Sequence, residues 1–351
     1  LTTVFENIIE RVASGSAAAV VANNQEGVGA VFQAVYDPFK ADATAAKNKA
    51  EWVGTLNSLF IDSFGLLRED GDQDGVLDGY QTDPVIEIFF NKNEKRAMLR
   101  RFSSSEQDVL KISDFNPTPV ELKTLEPLWN AREKLSDLNA STIVNQRDYD
   151  VAVSSEANHG RHILTWIDSN LDNIVATDGS ETKSFDASTL GSSNRWRWLD
   201  ESDLATAQKL INWVRGKETT GMRNRTLDYD GDNKAGVAEM PSGEPEVMRL
   251  GDIVDSSPIS VSAPVDAYDR LSQDQSYRTF RNHYRERRQV VYVGANDGMI
   301  HAFNAGFFDD ASKDADGKVI RRFKLSKNGA VSHPLGAELW AYIPKNLLPH
   351  L

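Results

Sequence analysis

Residues 290–306 read VVYVGANDGMIHAFNAG, and this stretch decides the fold class. Val290, Val291, Tyr292 and Val293 form a β-branched and aromatic run, Asn296-Asp297-Gly298 supplies turn chemistry, and Met299, Ile300, His301, Ala302 and Phe303 make a second run. Two such runs around an Asn-Asp-Gly turn predict a β-hairpin. A further strand, ELWAYIP, follows at Glu338–Pro344. A unit of this kind is expected to repeat, yet no internal repeat is visible along the chain.

Outward from the hairpin the pattern stays strand-rich. SAAAVVA (Ser16 to Ala22), AVFQAVY (Ala30 to Tyr36) and WVGTLNSLFID (Trp52 to Asp62) read as strands, as do VIEIFF (Val85 to Phe90) and AMLRRF (Ala97 to Phe102). Ahead of them, Thr3-Val4-Phe5-Glu6 fits a capping box opening a short amphipathic helix that ends near Gly15. From residue 118 the character changes. Thr118-Pro119-Val120-Glu121 predicts a helix start, with Leu125, Leu128, Trp129, Arg132 and Leu135 on its apolar face and Pro127 bending or restarting it. Gly160 to Asp168 reads as a strand, and residues 169–195 as a polar surface loop. Ser202 is the expected cap of a helix lined by Leu204, Ala207, Leu210, Ile211 and Val214 and stopped by Gly216. Met248 to Pro264 opens a new β region, joined to the hairpin by a helical Tyr/Arg-rich segment, Ser272 to Arg288.

The chain has 351 residues, enough for two or three domains, and a formal charge of −13. That acidity argues against nucleic acid and anionic membrane surfaces, both of which call for a basic footprint. It suits divalent cations where carboxylates cluster. There is no cysteine, so neither disulfides nor thiolate chemistry is available. No run of about 18 apolar residues predicts a membrane span. Leu1 opens in mid-pattern without a signal peptide, which is expected of a cut or processed end.

Two acidic loops stand out. In DGDQDGVLDGYQTD, Asp70, Asp72 and Asp74 occupy positions 1, 3 and 5 of a calcium loop. Gly75 takes the sharp turn at position 6, Val76 offers its carbonyl at 7, and Asp78 stands at 9. Gln81 falls at position 12, where a bidentate Glu is expected; Asp83 is the substitute. Alternate residues of a tightly curled loop point inward, so these carboxylates converge, and without a cation they repel one another. In DYDGDNKAGVAE, Asp228, Asp230 and Asp232 hold positions 1, 3 and 5, Asn233 replaces Gly at 6, Lys234 offers a carbonyl at 7, and Glu239 falls at 12. Met240-Pro241 cannot start an ordinary exiting helix, so this is an isolated loop. Asp309, Asp310, Asp314 and Asp316 lack the spacing. Both loops read alternatively as solvated acidic turns.

Catalytic signals are absent from the sequence. His159, His162, His283, His301, His333 and His350 are scattered; His301 reads as a packed core histidine. There is no Gly-x-Ser-x-Gly, phosphate-binding Gly loop or His-Glu-x-x-His. Among 52 carboxylates, any proposed glycosidase pair carries no information. The basic-aromatic segment with Tyr268, Tyr277, Tyr284, Arg278 and Arg281 reads as an internal ion-pair partner or a solvated helix face.

RLGDIVDSSPISVSAP, followed by RRQVVYVGANDGMIHAFNAG and GAELWAYIPKNLLPHL, resembles the PilY/PilC family of type IV pilus tip-associated adhesins and biogenesis factors. LINWVRGKE with RNRTLDYDGD, and EWVGTLNSLFID with the Asp-rich loop after it, resemble the region ahead of that family's propeller. The Tyr-Val-Gly-x-x-Asp-Gly-x-x-x-Ala-Phe string alone resembles any quinoprotein-type blade. Its combination with Leu250-Gly251-Asp252-Ile253 and Ser256-Ser257-Pro258 is what is specific.

The resemblance implies an exported protein at the pilus tip, the cell surface or the periplasm. It implies seating on minor pilins, contact with the remaining domains of its parent protein, calcium-tuned pilus extension and retraction, twitching motility, and attachment to host or abiotic surfaces. The chain departs from the family pattern in two ways. No Asp-x-Ser-x-Ser adhesion motif is present, so the von Willebrand A-like domain that comes first in the family is expected to be missing from this chain or reduced to its last helix. Only about one blade of propeller sequence is present, and a propeller needs at least four. The Arg-Gly-Asp integrin motif found in some members is also absent, and Arg215-Gly216-Lys217 is not its equivalent.

The expected fold is α+β and strand-rich: residues 1–117 a strand-rich region with the first loop, 118–246 a mixed region with the second, and 247–351 a β-propeller-like, quinoprotein-type partial blade. The expected function is a non-enzymatic, calcium-binding segment of a pilus-tip adhesin. The alternatives are a quinoprotein-like enzyme fragment and a metal-free structural filament component.

Overall fold

The computed structural model describes residues 16–22, 29–41, 49–94, 96–103, 116–154, 160–227, 246–264 and 266–351. The expected helix before Gly15 and the whole second acidic loop lie outside them.

The first sheet runs in chain order. Strands β1 (Ser16–Ala22), β2 (Gly29–Ala41), β3 (Lys49–Ile61), β4 (Leu67–Arg68), β5 (Val85–Asn91), β6 (Arg96–Phe102) and β7 (Val120–Glu121) pair in that order, and β8 (Trp129–Asn130) pairs with β3. The second sheet is ordered β10 (Thr182–Ser184), β9 (Ile163–Trp166), β17 (Glu338–Ile343), β15 (Met299–Asp309), β14 (Gln289–Ala295), β13 (Ile259–Val261), with β16 (Arg322–Lys324) beside β15. A short ladder joins β11 (Thr226–Leu227) to β12 (Glu246–Val247). The predicted hairpin is β14–β15, registered by Val291 opposite Phe303 and Val293 opposite His301.

Strands β13, β14, β15 and β17 form a four-stranded antiparallel array, the size of one propeller blade. The described residues close neither a barrel nor a ring. The blade's free side pairs back onto the middle of the chain: β9 adds to β17 in parallel, with Ile163 opposite Ala341. Beneath the sheets, one core joins Phe32, Leu56 and Phe60 to Trp129, Leu135, Val291, Phe303 and Phe323.

Three local readings are corrected. Thr118 to Glu121 opens no α-helix; Val120 and Glu121 pair with β6, and the helix α1 (Ala131–Ser136) starts after Pro127. Its cap is Asn130, whose side chain accepts from the Arg132 and Glu133 amides. The helix α3 (Leu204–Arg215) is capped one residue later than predicted, by Asp203, which accepts from Thr206. Residues 169–195 are not all loop. They contain β10, the helix α2 (Ala187–Gly191) capped by Asp186, and the start of a 3-10 stretch over Ser192–Leu199.

The hairpin turn is clasped by the motif that precedes it. The Gly251 amide donates to Asp297 Oδ2 (3.1 Å), the Asn296 amide to the Asp252 carbonyl (3.0 Å), and the Gly294 amide to Ser256 Oγ (3.1 Å). A Cβ at Gly251 would lie 2.6 Å from the Asp297 backbone nitrogen, so only glycine fits there. Gly251 also bridges to Val53, which ties the clasp to β3.

A buried chain of charges runs from this turn. His301 is fully buried, with Nε2 at 3.1 Å from Asp297 Oδ2 and Nδ1 at 2.7 Å from Glu338 Oε1. Arg161 donates two 2.7 Å bonds to Glu338 and further bonds to the Val214 and Arg215 carbonyls. Burial opposes the charge on His301, but the two carboxylates outweigh it and hold the imidazole up at about 9. Burial likewise opposes ionisation of Glu338, and Arg161 with His301 overrides it, so that carboxyl lies well below its usual range.

The folded pKa of His301 exceeds its unfolded value of about 6.5. Its contribution is therefore complete below about pH 6.5 and is lost as pH rises through about 9. His301→Gln is expected to cost about 3–5 kcal/mol in urea denaturation at about pH 6, because it strands buried carboxylates. The variant should also flatten the parent's loss of stability between about pH 6.5 and about pH 9. An unchanged pH profile would count against the imidazolium.

Candidate metal centre

The first acidic loop leaves β4 and enters β5. Both ends are tied down by groups outside the motif. Glu69, buried, receives Arg101 and the Glu126 amide, and the Asp70 amide donates to the Glu126 carbonyl (3.0 Å). Arg68, also buried, donates to the carbonyls of Asp83 (2.6 Å) and Asp78 (2.8 Å) with its guanidinium over the Tyr80 ring. The two ends approach closely at Gly71, where a Cβ would meet the Thr82 carbonyl oxygen at 2.2 Å. Gly75 sits at φ +75, the turn its position predicts.

This frame brings carboxylates together. Asp70, Asp72 and Asp83 each present an oxygen, all within 4.8 Å of one another, and so do Asp72, Asp74 and Asp78. Asp72 belongs to both groups. Asp83 reaches the first group because the chain folds back: its Oδ1 accepts from the Gly71 amide (3.0 Å) and its Oδ2 from the Asp78 amide (2.6 Å). Gln81, at the twelfth position, is exposed. The Val76 amide donates to Asp74 Oδ1, and Val76 lies in a bridge to Arg322 made through the Gly75 carbonyl and the Leu77 amide.

Asp70 is the informative member. It is 1% exposed, and one oxygen accepts from the Gly75 amide (3.0 Å) while Oδ1 has no hydrogen-bond partner. A buried, unpartnered carboxylate oxygen is costly. Burial first, and then Asp83, Asp74 and Asp72, push the Asp70 carboxyl up to about 7 despite the Gly75 bond. Burial pushes Asp83 up to about 6 against its two amide bonds and Arg68. Asp74 is raised too, by burial and then by Asp72 and Asp78. An all-oxygen donor set with this much uncompensated charge fits a hard divalent cation.

The other sequence candidates fare differently. Asp228, Asp230, Asp232, Lys234 and Glu239 lie outside the described residues. Asp309 is ion-paired with Lys324 (2.7 Å) and Arg322 (3.4 Å). His162 Nδ1 lies 2.6 Å from the Arg147 carbonyl oxygen. Arg281 pairs with the buried Asp269, and the helix α4 (Gln275–Tyr284) buries none of its residues. Sequence reasoning did not identify Arg68 and Glu69, which position the loop; they sit before the motif and carry no spacing signal.

Comparison with known proteins converges on one family. Residues 250–319 match the model described as the PilY1 beta-propeller domain. The chain is 29% identical over 157 residues to a type IV pilus biogenesis factor PilY1 homolog of Xylella fastidiosa, covering 44% of this chain. It is 32% identical over 121 residues to the type IV pilus biogenesis factor PilY1 of Pseudomonas aeruginosa, covering 31% of this chain. Each match spans 9% of the relative's length. No solved structure matches. The resemblance to the PilY/PilC family is thus shown. Among the described residues no helix is long and apolar enough to cross a membrane.

The folded pKa of Asp70 lies above its unfolded value, so without a cation its ionisation lowers stability as pH rises toward and through about 7. In chelator at about pH 8, Asp70→Asn is expected to be about 1–3 kcal/mol more stable than the parent. Chemical denaturation measures this, and a less stable variant would contradict the repulsion account.

Proposed function

We propose that the chain is a non-enzymatic, calcium-stiffened segment of a type IV pilus biogenesis factor acting at the pilus tip. The convergence of Asp70, Asp72 and Asp83, with an unpartnered oxygen on buried Asp70, carries the calcium part of this reading. Asp74 and Asp78 extend the oxygen set through the shared Asp72, and in this reading the Val76 carbonyl joins it. The bound cation cancels the mutual repulsion of the carboxylates and orders a long polar loop against two sheets.

The relatives' role in pilus biogenesis supports the rest. In this reading the segment sits at the cell surface or in the periplasm, within the parent protein. There it contacts minor pilins, supports pilus assembly and twitching motility, and presents the tip to host or abiotic surfaces. The second loop, through Asp228, Asp230, Asp232, Lys234 and Glu239, is a further calcium site of the same kind.

Calcium at about 100 times its dissociation constant should stabilise the chain by about 2.7 kcal/mol, raising the melting temperature by several degrees over the chelated protein. Asp72→Asn, which alters both acidic groups, should remove most of that rise. An unchanged melt in excess chelator, with calorimetry showing no calcium heat, would end the calcium reading. In cells, the doubly substituted parent (Asp72→Asn with Asp83→Asn) should assemble fewer pili and twitch less. Normal pili and motility would separate calcium from pilus function.

A further inference from the structure

The acidic loop has a second face, turned toward the blade. Gly75, Val76 and Leu77 lie between the carboxylates of Asp74 and Asp78. The Gly75 amide is held by Asp70 (3.0 Å) and the Val76 amide by Asp74 (2.7 Å). The same residues bond outward: the Phe323 amide donates to the Gly75 carbonyl (3.2 Å), and the Leu77 amide donates to the Arg321 carbonyl (2.7 Å). These bonds make Gly75–Leu77 a one-rung strand on the edge of β16, which among the described residues is otherwise paired with the extension of β15, Phe307 to Asp309.

We propose that cation binding in the acidic loop and docking of β16 are one coupled event, so that the ion latches the blade's extension to the middle of the chain. This rests on the calcium reading, whose independent support is the unpartnered oxygen of buried Asp70. The coupling follows from the shared backbone. A single rung of two hydrogen bonds is too weak to order two segments unaided. Apolar contacts help: Leu77 packs against the core that contains Phe323, whose ring lies 6.0 Å from Phe60 and 5.3 Å from Phe308. When the cation leaves, repulsion among Asp72, Asp74 and Asp78 spreads the loop and withdraws Gly75–Leu77 from the strand it covers. Linkage then requires the reverse: loosening β16 must weaken cation binding by the same factor.

Amide hydrogen exchange on the unmodified chain, with calcium and with chelator, tests this. Calcium should slow exchange at Leu77 and at Phe323 by about tenfold or more relative to the change at Val291 in β14. Calorimetry on the same sample reports binding itself. Binding heat that Asp72→Asn abolishes, with no local slowing at Phe323, overturns the latch and leaves the calcium site standing; no such heat overturns both. As a reciprocal measurement, Phe323→Ala, which alters no carboxylate, should weaken calcium binding by about tenfold. Unaltered affinity in a folded variant overturns the coupling. If that variant does not fold, the exchange measurement decides alone.

Discussion

The rest of the structure is organised around one buried imidazole and the two carboxylates that face its ring nitrogens. His301 stands between Asp297 and Glu338, and each of those carboxylates has a second duty. Asp297 receives the Gly251 amide and so fixes the clasp around the hairpin turn. Glu338 receives Arg161, whose remaining donors reach the last carbonyls of α3. A single chain of charge-assisted bonds therefore orients the turn of β14–β15, the start of β17, the start of β9 and the end of a helix. Burying so many charges is favourable only when every partner is present. In this chain Leu250-Gly251-Asp252-Ile253 and the Asn296-Asp297-Gly298 turn hold each other, because each supplies hydrogen-bond partners to the other.

The same logic recurs in the buried arginines. Arg215 is fully buried and donates to the carbonyls of Asn145 (2.6 Å), Arg161 (2.7 Å) and Phe185 (2.6 Å). Arg249 donates to Leu135, Ser136, Leu138 and Gly216. These side chains add donors to backbone oxygens where irregular segments cross outside the long ladders. Burial first, and neighbouring arginines after it, lower Arg249 to about 9.

The long strands were legible because their periodicity is strong: β2, β3, β5, β6 and the hairpin fall where alternation and turn residues place them. Trp129 departs from the helical stripe that Leu125, Leu128 and Arg132 mimic, because its backbone pairs with Ser58. The capped turn at Ala187–Gly191 was hidden by polar residues that face solvent. In the acidic loop, the positions from Asp70 to Asp78 follow from spacing alone. Asp83 replaces Gln81 at the centre because two backbone amides and Arg68 fold the chain back, and no local pattern encodes that return.

The parallel rung between Ile163 and Ala341 joins residues just over half the chain apart. Contacts of such sequence separation form late, because loop-closure entropy is spent before the rung gives anything back. The sheet that carries the blade can therefore be finished only once both strands have emerged and met. Until then β17 exposes an open backbone edge to whatever other strand it encounters first. Assembly of this segment is a race between a distant correct neighbour and nearer wrong ones, and shielding during synthesis or export would favour the correct pairing.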